Sequence, residues 1–269
     1  MGPPVVSGIS VVIPSFNSAA TLGRAVGSVA AQTLLPDEVI VVDDCSTDDT
    51  VAVARSLAAD FPHLKLAVLP LTGNVGAGAA RNAGWERASR AFVAFLDADD
   101  AWHPRKLEIQ YRVMTLHPAC AISGHRFRVD PSGFLGDVST NDPHHRSVPL
   151  RALLVRNLFS TPSVMLRRDV TERFHPDPRV SDDYLLWMRI VAAHGPALLI
   201  ELPLTTLFKE AYGRAGLSKS AHTMQRRELT AFGHLRREGS ISTATWAVAC
   251  TWSILKYLRR IVLLVARNR

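Results

Sequence analysis

The run from Ala91 to Asp100, Ala-Phe-Val-Ala-Phe-Leu-Asp-Ala-Asp-Asp, constrains this chain most. Its first six residues are apolar, with no polar alternation. They read as a strand buried on both faces, as in the middle of a largely parallel sheet. Asp97, Asp99 and Asp100 then fall where that strand leaves the sheet at its C-terminal edge, the place where open α/β sheets hold ligands. Neighbouring carboxylates raise each other's pKa unless a cation joins them. A magnesium or manganese ion suits all-oxygen ligands and brings substrate phosphates with it. A solvated acidic loop at the start of a helix is the plainer use of the same residues.

The preceding segments repeat one unit. Ile9 to Pro14 is a short apolar strand, followed by turn and cap residues Ser15 to Ser18 and by Leu22, Ala25, Val26 and Val29 at helical spacing, with Pro36 closing that helix. Glu38 to Val42 is a second buried strand ending in Asp43 and Asp44. Ser46 or Thr47 then caps a helix with Asp48 and Asp49 in its first turn. A third strand, Leu64 to Leu69, leads into a glycine-rich loop and another helix. Strand and helix in such short alternation imply right-handed crossovers and a parallel sheet covered on both sides.

Beyond Trp102 the spacing predicts a helix over Arg105 to Leu116 and a hairpin of Ala121 to Val129 with Phe134 onward. A polar loop over the sheet edge follows from Gly136 to Pro149, then a helix over Arg151 to Phe159 and a strand over Ser163 to Arg167. Asp183 to Ala193 reads as a helix stopped at Gly195-Pro196.

At 269 residues the chain can bury a full core. Cys45, Cys120 and Cys250 lack metal-ligand spacing and imply neither a disulfide frame nor a zinc site, which fits a reducing, cytoplasmic setting. The first residues show no basic region followed by an apolar core, so no signal peptide is expected. The net charge of +7 is unevenly placed: from Phe208 onward there are 12 Lys and Arg against 3 Glu, a balance of +9. Such a tail suits an anionic surface. Its apolar runs, Ala244 to Leu255 and Ile261 to Ala266, fall short of the roughly 20 residues of a spanning helix. Trp246 and Trp252 among Lys and Arg suit a helix lying in a membrane interface, with packing on the domain or a dimer interface as the competing uses.

Three further motifs carry chemistry. Gly76-Ala77-Gly78-Ala79-Ala80-Arg81 is not a dinucleotide fingerprint, because Arg81 replaces the third glycine and the loop follows the third strand. Arg81 in the first turn of its helix suits a diphosphate or the nearby aspartates, and glycines there also allow close packing. Asp43 and Asp44 can accept hydrogen bonds from a base or ribose, or cap the next helix. Asp182-Asp183 begins a helix on which Asp183 and Trp187 share a face and Asp182 and Arg189 lie near one stripe. A positioned carboxylate there can act as a general base, though acids at a helix start and a core tryptophan are ordinary. His144-His145 beside Asp142 is given no role.

Together these stretches resemble the family 2 glycosyltransferases, inverting enzymes of the GT-A fold that use nucleotide-diphosphate sugars. The matching residues, in the family's order over about residues 9 to 190, are Val11 to Asn17, Val42 to Asp48, Gly76 to Gly84 with Arg81 and Asn82, Phe95 to Asp100 with Trp102, and Asp182-Asp183-Tyr184 with Trp187 and Arg189. The resemblance implies an α/β GT-A domain over residues 1–215, with a nucleotide-sugar half (1–100) and an acceptor half (101–215), and a basic helical extension over 216–269. It implies a donor held by Pro14, Phe16, Asn17, Asp43, Asp44, Arg81, Asp97 and Ala98, and a divalent cation, manganese or magnesium, on Asp99 and Asp97. Asp183 would be the catalytic base, with Asp182, Trp187, Arg189 and Trp102 in supporting or acceptor roles.

The implied partners are the donor and a saccharide or lipid-linked acceptor, with peripheral membrane contact through the tail, a homodimer as its alternative use, and no nucleic acid. The implied place is the cytoplasm, at the inner face of the membrane. The chain departs from the family in having Asp182 where glutamate is common and no histidine in Lys209 to Ser218, so a third metal contact is not assigned. The Q-x-x-R-W signature of processive synthases is missing, which argues for adding a single sugar. A sugar-phosphate nucleotidyltransferase would carry a basic glycine-rich loop where Ser15-Phe16-Asn17 stands. A non-catalytic membrane scaffold would have no use for Asp97, Asp99 and Asp183.

Overall fold

The computed structural model describes residues 7–130, 143–177, 180, 182–208 and 221–267. Strands β1 (Ile9–Ser15), β2 (Glu38–Asp43), β3 (Leu66–Pro70) and β4 (Phe92–Phe95) alternate with helices α1 (Leu22–Ala30), α2 (Thr50–Asp60) and α3 (Ala77–Arg87). These four strands are parallel in the order β3-β2-β1-β4. Their near-continuous apolar sequence has a direct cause. Val12, Ile40, Val42, Val93 and Phe95 enter one core, while Val11, Ile13, Val39, Val41, Ala94 and Leu96 enter the other on the opposite face. On α1 the four residues at helical spacing, Leu22, Ala25, Val26 and Val29, are all fully buried.

Helix α2 starts later than its sequence suggests. Ser46, Thr47 and Asp48 are drawn toward the loop after β1: the Asn17 N–H donates to Ser46 Oγ at 2.9 Å, the Thr47 N–H to Asn17 Oδ1 at 2.8 Å and the Ala19 N–H to Asp48 Oδ2 at 3.2 Å. Asp48 also accepts from the Thr50 N–H, so it caps the helix from outside rather than standing in its first turn.

After β5 (Ala101–Trp102) and α4 (Lys106–Leu116) the sheet continues through β6 (Ile122–Val129), β7 (His145–Val148), β8 (Met165–Arg167) and β9 (Ala197–Leu207), with α5 (Leu150–Val155) and α6 (Asp182–His194) between them. The order β4-β8-β6-β9-β5 mixes parallel and antiparallel pairs. The second arm of the expected hairpin, from Phe134, lies outside the described residues. Part of the expected edge loop is strand instead: β7 pairs antiparallel with β9. Glu201 of β9 explains how polar residues hold that edge, accepting from Arg126 Nε of β6 at 2.6 Å and Arg146 Nε of β7 at 2.8 Å. Strand β9 itself escaped the sequence reading because Pro203 interrupts it. Pro203 pairs with Arg126 where the β6–β9 register shifts, a position that tolerates a missing donor.

Helices α7 (Ala221–Arg237) and α8 (Thr243–Arg267) end the described chain. Ala231, Phe232, Leu235, Ile241 and Ala249 join the same core as α6, so the tail packs on the domain. The two apolar runs of the tail form one helix of 25 residues.

Gly84 sets the distance between α3 and the sheet. A Cβ there would overlap Val12 Cγ1 and lie 2.9 Å from Val42 Cγ2, both on central strands with little room to rotate. Overpacking costs about 1–3 kcal/mol, and alanine recovers up to about 1 kcal/mol of helix propensity. Gly84→Ala is therefore expected to lower stability by about 1 kcal/mol. A lower urea midpoint at unchanged slope would show it, and an unchanged midpoint would refute it.

Candidate active site

The parallel strands deliver the chemistry to one rim. Ser15 pairs with Asp43, and Val12 with Phe95, so the residues after β1, β2 and β4 emerge on the same side of the sheet. Pro14 is buried within β1, while the Phe16 ring stands 47% exposed at the rim. Asn17 has a left-handed backbone, φ 49°, and its amide joins the first two loops through Thr47.

Asp43 and Asp44 divide their work. Asp44 Oδ1 accepts the Val75 N–H at 2.7 Å and Oδ2 the Gly76 N–H at 2.8 Å, so this carboxylate holds the glycine-rich loop against the end of β2. Asp43 Oδ2 accepts the Ser46 N–H at 3.1 Å, but Oδ1 is buried without a partner among the described residues, as is Ser15 Oγ. A buried unpaired acceptor costs about 1–3 kcal/mol, and native proteins keep one chiefly where a ligand or function uses it. Asp43 thus keeps one acceptor unused among the described residues at this end.

On the other side of the rim, Arg81 is almost fully buried and bridges two elements. Its Nη2 donates to Asp97 Oδ1 at 2.7 Å, and Nη1 lies 4.0 Å from Asp182 Oδ2. Burial opposes its charge, but Asp97, Asp182 and Asp183 hold the guanidinium firmly protonated. Below it the Phe174 ring lies 5.4 Å away and packs edge-on against Phe95 and Trp187. Asn82 fixes Phe174 from both sides, donating to its carbonyl at 2.9 Å and accepting its N–H at 3.0 Å. Gly78 leaves the space that Asp182 fills, since a Cβ there would overlap Asp182 Oδ2.

Asp183 stands in the first turn of α6, partly open to solvent. Thr161 Oγ1 reaches its Oδ2 at 3.4 Å and the Tyr184 N–H its Oδ1 at 2.6 Å. Burial first, then the neighbouring Asp182, push this carboxyl up to about 6, against Tyr184 N–H and Arg81, which favour its charged form. A carboxylate raised this way is matched to taking a proton near neutral pH.

Residues 10–174 match the family model of glycosyl transferase family 2. The chain belongs to that family. Among curated relatives of this transferase, the putative teichuronic acid biosynthesis glycosyltransferase TuaG of Bacillus subtilis is 32% identical over 188 residues, 68% of this chain and 71% of that protein. The UDP-Glc:alpha-D-GlcNAc-diphosphoundecaprenol beta-1,3-glucosyltransferase WfgD of Escherichia coli is 28% identical over 183 residues, covering 68% and 69%. An uncharacterised glycosyltransferase of Nostoc is 34% identical over 177 residues, but the match spans only 54% of its length. The solved mannosyltransferase PcManGT of Pyrobaculum calidifontis, in complex with GDP-Man and manganese, superposes with a TM-score of 0.67 at 20% identity, over 98% of this chain and 76% of that one. The transferase therefore has the expected GT-A fold, and family membership sets aside the nucleotidyltransferase and scaffold readings.

Asp97, Asp99 and Asp100 of the transferase have carboxylate oxygens all within 4.8 Å of one another. An all-oxygen set of this span fits a magnesium or manganese ion, so the residues present suit the cation that GT-A enzymes use. Asp97 is shared with Arg81, Ala98 between the acids is buried, and Asp100 accepts the Phe208 N–H at 3.4 Å. Asp100 belongs to this group with the other two acids of the run, whereas the resemblance puts the cation on Asp99 and Asp97 alone.

The supporting residues are less uniform. Trp187 is wholly buried and reaches the rim only through Phe174, so it is core. Trp102 is buried too, its Nε1 donating to the Pro162 carbonyl at 2.8 Å and its ring lying 3.8 Å from Lys106 Nζ. Neither offers a face to an acceptor. Arg189 pairs with Glu238 beyond α7, so it ties α6 to the tail and is not brought to the rim. Conversely, Arg24 has a part at the rim that no motif announces. From α1 its Nη2 donates to the Asp99 carbonyl at 2.6 Å, and its guanidinium covers the Phe208 ring at 3.7 Å, holding the acidic loop from outside. Its mark in the sequence is a cation between Leu22 and Ala25, two members of the buried stripe of α1.

Proposed function

We propose that this chain transfers a single sugar, with inversion, from a nucleoside-diphosphate sugar to the hydroxyl of a lipid-linked saccharide at the inner face of the membrane. The observation that carries the reading is geometric: Asp183, partly open in the first turn of α6, stands beside Asp182, which faces the Arg81–Asp97 pair at the same rim. The nucleoside would lie at the first two loops, with Phe16 against the base and Asp43 accepting its hydrogen bonds. Arg81 would face the diphosphate, and Asp97 and Asp99, with Asp100, would hold the divalent cation. When bound, that ion would supply positive charge to offset the departing diphosphate. Asp183 would take the proton as the acceptor oxygen attacks the anomeric carbon from the face opposite the leaving group. Residues 1–215 would form the catalytic domain, with 216–269 as its extension. The lipid-linked acceptor is supported by the name of WfgD, and the nucleotide sugar with manganese by the complex of PcManGT.

A base works only when deprotonated, so turnover should fall as pH drops through the pKa of Asp183. The acid limb is expected at or somewhat below 6, since a cation bound nearby would draw the value down. The pH profile of kcat with a nucleotide sugar and manganese tests this. A profile flat from about pH 8 to about pH 5 would remove Asp183 as the base.

A further inference from the structure

Helix α8 buries Ala249 in the core but carries a second apolar stripe outward. A helix on a water-soluble surface buries its apolar stripe and exposes its charges. Here the inward side carries Ser253, fully buried and accepting from Gln225 Nε2 at 2.9 Å, and Lys256, whose Nζ donates to the Val155 carbonyl at 2.8 Å and to Glu228 at 3.0 Å. The outward side carries Val248, Trp252, Leu255, Leu258 and Val262, exposed by 71, 46, 53, 52 and 66%. Residues 248, 252, 255 and 262 recur at intervals of three, four and seven, so they form one stripe along the helix, joined by the exposed Arg259. The two tryptophans of the tail separate: the Trp246 ring is covered by the Arg236 guanidinium at 4.5 Å and packs on the core, leaving Trp252 outward.

We propose that this outward face of α8 lies on an anionic lipid surface, with the helix in the plane of the headgroups. Among the described residues no helix is long and apolar enough to cross a membrane, so a stripe of this kind can only be covered from one side. Charge chooses the occupant. Residues 221–267 hold 8 Lys and Arg against 2 Glu, and both of those glutamates are already paired, with Lys256 and Arg189. Lys256 is spent inward on Glu228, so the outward face itself carries Arg259; two copies meeting by this face would bring Arg259 of each and the net positive charge of both tails together, whereas anionic headgroups would neutralise them. Outward Trp252 beside Arg259 matches the amphipathic pairing found at membrane interfaces. Because Phe232, Leu235 and Ile241 are fixed in the same core as α6, the helix would carry the rim at a set attitude to the membrane.

Flotation of the full chain with vesicles tests this, and it does not depend on transfer activity, so Asp183→Asn should float like the wild type. With phosphatidylcholine vesicles containing phosphatidylglycerol the wild type should float, and with phosphatidylcholine alone about tenfold less protein should rise. The double variant Trp252→Glu, Leu255→Glu should lose about tenfold or more of its flotation at an unchanged melting temperature, because both side chains are already in water. Sedimentation equilibrium should give the same mass for both proteins. A wild type that stays in the pellet fraction, a double variant that floats undiminished, or a wild-type dimer that the double variant dissociates would each overturn the proposal, the last by assigning the face to a second copy.

Discussion

Replacing Asp183 with asparagine is expected to lower kcat by about 10²- to 10⁴-fold while leaving donor affinity within about twofold of wild type, the range by which a positioned general base accelerates a proton transfer. The substitution keeps the shape and the hydrogen-bonding reach of the side chain toward Thr161 and the Tyr184 N–H, so the start of α6 should hold. What it removes is the basicity that would let this side chain take the acceptor's proton, and the charge next to Asp182. Asp182 is not expected to substitute, because it faces Arg81 across 4.0 Å and is held there by the space at Gly78. Single-turnover rates with a nucleotide sugar, alongside calorimetric donor binding, separate the two effects. If donor binding fell as far as the rate, Asp183 would be part of the binding site and not the base.

Asp99→Ala is expected to weaken manganese-dependent donor binding by on the order of 10²-fold or more, since even residues that merely support a metal ligand cost about 10- to 100-fold when removed. Asp97 and Asp100 would remain, but each has another commitment: Asp97 to the Arg81 guanidinium at 2.7 Å and Asp100 to the Phe208 N–H at 3.4 Å. Arg24 holds the Asp99 main chain in place by donating to its carbonyl. The fold should be unharmed, because the side chain stands partly open on the loop after β4. Calorimetric titration with the nucleotide sugar, with manganese and with chelator, checks this. Equal affinity for wild type and variant would take Asp99 out of the cation's coordination.

The half of the molecule built from local signals was legible in the sequence. Strands β1, β2 and β4 are each buried on two faces, so their composition alone marks them, and the acids that follow are displayed by chain direction. Asp183 was legible for the same reason, standing at the N-terminus of a helix with clear limits. What remained hidden depends on contacts between distant segments. Asp44 reads as a ligand acceptor until Val75 and Gly76 are seen to donate to both of its oxygens. Trp187 and Arg189 share a helix with Asp183, but their directions are set by Phe174 and by Glu238, neither of which spacing can place. Strand β9 breaks the rule that proline ends a strand because its partner β6 carries a register shift at the same level. The tail shows the converse case: its composition foretold amphipathic helices, but only packing shows that α8 carries an apolar stripe outward besides the side it buries.

The central claim, that separate acidic loops meet at one rim to grip a cation and the pyrophosphate it accompanies, is tested most directly by calorimetry on the intact wild-type chain. Nucleoside-diphosphate sugars should release heat and saturate one site per chain in the presence of manganese, and the signal should vanish with chelator. Binding that chelator leaves untouched, or no binding by any nucleotide sugar tried at millimolar concentration, would contradict it.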